Sequence, residues 1–126
     1  MSAVKPTKEA ALWQFWNSFG IDGYEENTVP SDVELPYLTY QVSTDSRFQE
    51  VPLAVNVYYR DNSWLAINDK VSQISAEIQT GCRLDCMGGW IWLKKGSPFA
   101  QNMSDSSDDT IRRKYLNITA EYCTNL

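Results

Sequence analysis

Along residues 51–81 the hydrophobic positions change period once. In residues 51–59, Val51, Leu53, Val55, Val57 and Tyr59 alternate with Pro52, Ala54, Asn56 and Tyr58, so one face of a strand is continuously apolar. From Trp64 the period lengthens: Trp64, Ile67, Val71, Ile74 and Ile78 recur at spacings of three and four and form one stripe of a helix, with Asn68, Asp69, Lys70, Gln73 and Glu77 on the other side. The helix is the natural cover for the strand, and Trp64, Ile67, Val71, Ile74, Ile78, Leu53, Val55 and Val57 are the expected core. Asn62 or Ser63 can accept from first-turn amides, and Gly81 can take the left-handed conformation that ends the last turn. The pattern predicts this helix over 63–79.

The same reading organises the rest. Thr7 is an N-cap with Glu9 in the first turn, and Ala11, Leu12, Phe15, Trp16 and Phe19 follow at helical spacing to Gly20, with Trp13 widening the apolar side; the helix is predicted over 8–19. Residues 21–36 are acidic and broken by Gly23, Pro30 and Pro36, and read as a surface loop without calcium-loop spacing. Leu38, Tyr40 and Val42 alternate as a strand, and a turn at Asp45-Ser46-Arg47 leads antiparallel into the strand at 51–59. Gly88-Gly89 predicts a two-residue hairpin in which Met87 faces Trp90, Cys86 faces Ile91 and Leu84 faces Leu93. Lys94, Lys95, Gly96 and Pro98 are expected to end that strand, and residues 101–109 to form the longest irregular loop, carrying Phe99 and Met103 into polar surroundings. Leu116, Ile118, Ala120 and Tyr122 alternate along a long last strand.

These elements make an α+β fold: a mainly antiparallel sheet of four to five strands with two helices packed on it. At 126 residues the chain, 1–126, is expected to be one structural domain of about 14 Å radius of gyration. The outer face of its sheet is unusual. Tyr37, Tyr58, Trp90, Trp92 and Tyr115 all alternate away from the core and exceed the apolar patch that a monomer ordinarily exposes. Either the first helix covers them or another subunit does, and Trp and Tyr are enriched in interfaces.

Charge and chemistry narrow the function. A formal net charge of −5 disfavours general affinity for nucleic acid, and Arg112-Arg113-Lys114 lies on a strand, where its members alternate faces. The absence of histidine removes imidazole as a general base, and three cysteines, Cys82, Cys86 and Cys123, read as free thiols and not as a metal set. Asp105, Asp108 and Asp109 sit in a serine-rich stretch that does not bury them, so they lack the environment that tunes paired carboxylates for catalysis. No catalytic residue, metal or cofactor is expected, and the chain is expected to be no enzyme. No apolar run is long enough to span a membrane, and synthesis in a cytosol-like compartment is expected.

Leu12-Trp13-Gln14-Phe15-Trp16 leading to Phe19-Gly20, Glu26 to Pro30, Leu35-Pro-Tyr-Leu-Thr-Tyr40, Pro52-Leu53, Tyr59-Arg60 with Ser63-Trp64, and residues 98–105 together resemble small structural proteins of long-tailed phages of Gram-positive hosts. These minor capsid or tail completion proteins are similar to the tail terminator class. The resemblance implies a tail-terminator-like fold and a subunit of a hexameric ring that caps the tail tube and joins it to the head. Its partners would be itself, the tail tube protein and a head–tail connector or neck protein. DNA would be only passing cargo, with no membrane involved, and the chain would be made in the host bacterial cytoplasm and end in the virion tail or neck. A connector or stopper subunit is the alternative within the virion; a small intracellular ligand-binding module is the alternative outside it. The residues expected at a subunit interface are Phe99, Met103, Asp105, Asp108, Asp109, Arg112, Arg113, Trp90 and Trp92. In that expectation the carboxylates meet basic groups of the adjacent subunit.

Overall fold

The computed structural model describes residues 4–43, 49–104 and 108–124. Among these described residues two helices and six strands follow in the order α1 (Lys8–Trp16), β1 (Asp22–Glu25), β2 (Tyr37–Tyr40), β3 (Glu50–Arg60), α2 (Leu65–Ile78), β4 (Cys82–Cys86), β5 (Gly89–Met103) and β6 (Ile111–Cys123). The strands form one sheet in the order β1-β2-β3-β6-β5-β4, antiparallel throughout except for the parallel pair β1 and β2. The α+β class with two helices holds, and the sheet is mixed and six-stranded. The expected turn at 45–47 lies outside the described residues.

Helix α1 begins as its sequence dictates, with the Thr7 hydroxyl accepting from the Ala10 N–H at 3.1 Å. It stops at Trp16 and not at Phe19, because residues 17–19 turn away from the axis. α2 begins at Leu65, where the Ser63 hydroxyl accepts the Leu65 N–H at 3.1 Å. Its end departs from expectation. Gln79, and not Gly81, adopts the positive φ of 51° after the last turn. Gly81 is required for a different reason: a β-carbon there would stand 2.2 Å from Cζ2 of Trp92, so the absent side chain is the space the indole occupies.

Both helices pack on one side of the sheet. α2 contacts β3, β5 and β6, and α1 contacts β1 and β4, the two outermost strands. One short helix reaches both outermost strands only because the sheet curls, so its inner face is concave around the helices. There Leu12, Phe15 and Trp16 of α1 join Ile67, Val71, Ile74 and Ile78 of α2, and Leu53, Val55, Val57, Ile91, Leu93 and Leu116 of the sheet, in one core. Trp64 packs at its margin. Trp16 stacks on Tyr40, with ring centroids 6.4 Å apart, and meets Phe15 edge-on at 4.8 Å. Trp13 does not join this side; it is 55% exposed.

Three segments differ from what the hydrophobic pattern predicts. Residues 22–25 form strand β1 within the expected loop, where Asp, Gly and Glu mask a short edge strand. β5 runs on to Met103 through a register shift between Lys95 and Ala100, so the Lys94–Pro98 stretch is an irregularity inside a strand and not its end. The β4–β5 turn is Met87-Gly88, with Cys86 paired to Gly89, Leu84 to Ile91 and Cys82 to Leu93. Each partner is two residues from the expected one, which preserves which side chains share a face.

Candidate interaction surface

With both helices on the concave side, no helix or strand among the described residues packs over the convex face, and α1 does not cover the outward aromatics. Cross-strand register aligns Tyr37, Tyr58, Arg113 and Met103 in one row over β2, β3, β6 and β5. Tyr37 and Tyr58 stack with ring centroids 4.7 Å apart, Tyr24 meets Tyr37 edge-on at 6.1 Å, and the Arg113 guanidinium lies 5.9 Å from the Tyr58 ring. Arg113 Nε also donates to Asn56 Oδ1 at 2.9 Å. The row is thereby a preorganised, amphipathic ridge.

The other end of the convex face carries Trp90 and Trp92. Arg83 lies over the Trp90 ring at 4.6 Å and donates to Asp85 at 2.8 Å, while Trp92 rests on Gly81 and is half-buried. Lys94 donates to Glu50, which together with the nearby charge of Glu50 raises its pKa above the usual lysine value. Outward strand positions carry Arg60, Arg83, Lys94 and Arg113 against Asp22, Glu50, Asp85 and Glu121, so the face is balanced in charge and lacks the cationic excess that phosphate backbones demand.

The aspartate loop has internal partners. Asp108 accepts from Arg60 at 2.7 Å, from the Thr110 hydroxyl at 2.6 Å and from the Thr110 N–H at 2.8 Å. The Thr110 hydroxyl first, then Arg60 and the Thr110 amide, hold its carboxyl well below the usual carboxylate range. Arg112 lies on the concave side, donates to the carbonyls of Asp109 at 2.8 Å and Asn62 at 2.9 Å, and sits 5.5 Å from the Trp64 ring. Phe99 is partly buried against the core under Lys95, whose ammonium is bonded to Ser75 of α2. Of the residues expected at an interface, Met103, Arg113, Trp90 and Trp92 share the convex face. Phe99, Asp108 and Arg112 are engaged within the subunit, Asp109 is exposed with its carbonyl bonded to Arg112, and Asp105 lies outside the described residues.

The two edge strands differ in kind. At β1, the Asn17 carboxamide accepts from the Gly23 N–H at 2.9 Å and donates to the Gly23 carbonyl at 3.1 Å, while the Glu25 carbonyl accepts from the Thr28 N–H at 2.9 Å. A β-carbon on Gly23 would lie 3.1 Å from the Trp16 carbonyl, so glycine is what lets the α1 terminus come so close. At β4, a two-residue turn is closed by the hydrogen-bonded pair Cys86 and Gly89, and alternation from there turns the Arg83 and Asp85 amides and carbonyls away from β5. Among the described residues no hydrogen bond reaches those groups. Beside them a groove of about 320 Å³ separates β4 from α1, lined by Ala11, Gln14, Phe15, Arg83, Leu84 and Asp85.

Burial raises the thiol pKa values of Cys82, Cys86 and Cys123 above the ordinary range, so all three are held as thiols. No group of three or more Cys, Asp or Glu side chains that could hold a metal occurs among the described residues. Comparison with protein-family models, with curated proteins and with solved structures finds no match.

Proposed function

We propose that the chain is a structural virion protein of a long-tailed phage, a tail terminator or completion subunit that assembles with copies of itself, in a hexameric ring, between tail tube and head. The observation that carries the reading is the convex face of the sheet: an ordered Tyr24–Tyr37–Tyr58–Arg113–Met103 ridge at one end and Trp90 at the other, with no covering element among the described residues. Aromatic and arginine side chains held rigid before contact are the residue types on which protein interfaces concentrate their energy. The balanced charge of that face suits protein neighbours better than DNA, which would pass through such a ring only as cargo. The resemblance to tail completion proteins in residues 12–20, 26–30, 35–40 and 98–105 suggests the virion context, and the reading assigns no reaction, metal or cofactor to the chain.

Native mass spectrometry and negative-stain microscopy of the purified chain, alone and with tail tube protein, test this. The expected result is a six-subunit ring that docks on tube ends, with Tyr58→Ala weakening assembly. A chain that stays monomeric with tube protein and instead binds a small molecule would replace this reading with the ligand-binding module.

A further inference from the structure

We propose that the open edge of β4 pairs with the β4 edge of a second copy of this chain, antiparallel, about a two-fold axis through Leu84. Backbone geometry sets the first requirement. Only Arg83 and Asp85 turn their amides and carbonyls outward from β4, so a partner strand must present its own outward residues opposite these two. Two copies related by a two-fold meet this in three registers. Centred on Arg83 or on Asp85, the pairing sets like charges directly opposite each other, which is unfavourable. Centred on Leu84, it sets Arg83 opposite the Asp85 of the second copy and repeats that pair across the axis. Each such pair exchanges two main-chain hydrogen bonds and aligns a guanidinium with a carboxylate.

The side chains are free to do this. Arg83 and Asp85 are 53% and 56% exposed and now satisfy each other along one strand at 2.8 Å, so the dimer exchanges two internal pairs, one in each copy, for two crossed ones and its gain lies in the main-chain hydrogen bonds. On the concave side the two Leu84 side chains fall in a non-hydrogen-bonded pair, where opposed side chains lie closest, and each extends the apolar wall that Phe15 gives the groove. The β1 edge of another copy is a poorer partner, because Asn17 occupies both outward main-chain groups of Gly23 and Thr28 the carbonyl of Glu25. This contact is independent of the ring reading: an isologous contact uses the edge once and closes no ring.

Sedimentation velocity of the full chain over a wide concentration series gives the test. The native chain is expected to show a concentration-dependent doubling through this edge, from monomer to dimer or from ring to paired ring. Arg83→Asp places two like-charge oppositions at the interface and should weaken the dimer roughly tenfold or more. The swap Arg83→Asp with Asp85→Arg restores opposite charges in the same register and should restore the dimer. Asp85→Pro removes an outward amide that bonds nothing within the subunit, and should abolish the dimer while leaving the melting temperature near native. The proposal is overturned if the native chain is monomeric at every concentration, if Arg83→Asp dimerises as well as native, or if the swap fails to rescue. A larger ring indifferent to all three variants would overturn it as well while leaving the ring reading standing.

Discussion

The two edges of this sheet solve the same problem in opposite ways. β1 and β4 are both short, and both flank α1, yet β1 has most of its outward main chain occupied, Gly23 by Asn17 and the Glu25 carbonyl by Thr28, while β4 leaves Arg83 and Asp85 bare beside a groove. Natural sheets block edge pairing with bulges, charges or covering elements. Here a single carboxamide acts as a two-bond strand mimic at one edge, whereas at the other the Pro6 carbonyl accepts the Met87 N–H just beyond β4 and the strand itself holds only a pair of opposite charges. A charged pair discourages a partner of uniform charge and accepts one with the complementary order. The difference teaches that an edge is closed to pairing by the partners of its main chain, whatever its sequence hydrophobicity.

Both edges depend on α1, so the largest expected effect is its release. Trp16 is buried to 1% exposure, stacks on Tyr40 and places its carbonyl against Gly23. Trp16→Ala should cost about 3–5 kcal/mol and erase the contrast, with amides of β1 and β4 exchanging alike. If the melting temperature holds and Gly23 remains protected, α1 is not what anchors the β1 edge.

Asn17→Ala attacks the contrast selectively. It leaves the Gly23 amide and carbonyl without their partner, at a cost of about 1–3 kcal/mol because that site is partly buried. Hydrogen exchange should accelerate at Gly23 and not in β4, and self-association through β1 should appear for the first time. Unchanged exchange at Gly23 would mean that the curl of the sheet, and not Asn17, protects this edge.

Much of this was legible in the residues, and the failures have physical causes. The period-two run at 51–59 and the helical stripe from Ile67 to Ile78 were readable because burial on one side imposes a strong pattern, and the structure buries that stripe as expected. β1 was hidden because its four residues carry only one aromatic and its stability comes from β2 and Asn17, which sequence spacing does not reveal. The continuation of β5 was hidden because Gly96 and Pro98 punctuate a strand that tolerates them at a bulge. The outward aromatics were found by alternation, whereas the choice between α1 and another subunit as their cover turned on the curl that puts both helices inside. The spacing Arg83-x-Asp85 signals nothing until the turn register shows which amides point outward.

Gly81→Ala tests the β4 side more gently. The added methyl meets the Trp92 ring at 2.2 Å, and since that indole is half-buried it can turn, so the cost should be about 1 kcal/mol, at the low end for overpacking. Tryptophan emission should shift to the red as Trp92 moves toward water. If emission and melting temperature are both unaltered, Trp92 does not define the start of β4.

The smallest expected effect belongs to the Asp108 clamp, a third place where a side chain closes off main chain, here at the end of β3 and β6. Its folded carboxyl titrates well below the unfolded value near 4, so folding favours the ionised form. The stabilisation is therefore complete above the unfolded value and is lost as pH falls through the folded value in strongly acid solution. Because the group is solvent-exposed, the effect on global stability is slight and the local effect is the better measure. Asp108→Asn should speed exchange of the Thr110 amide at neutral pH, and the difference from native should persist until the pH falls below the unfolded value. The difference should then narrow as the native carboxyl takes up its proton. A difference that is already half closed at about pH 4 would place the folded pKa at an ordinary value and remove the clamp from the closed features of the sheet. The contrast between β1 and β4 would stand unchanged.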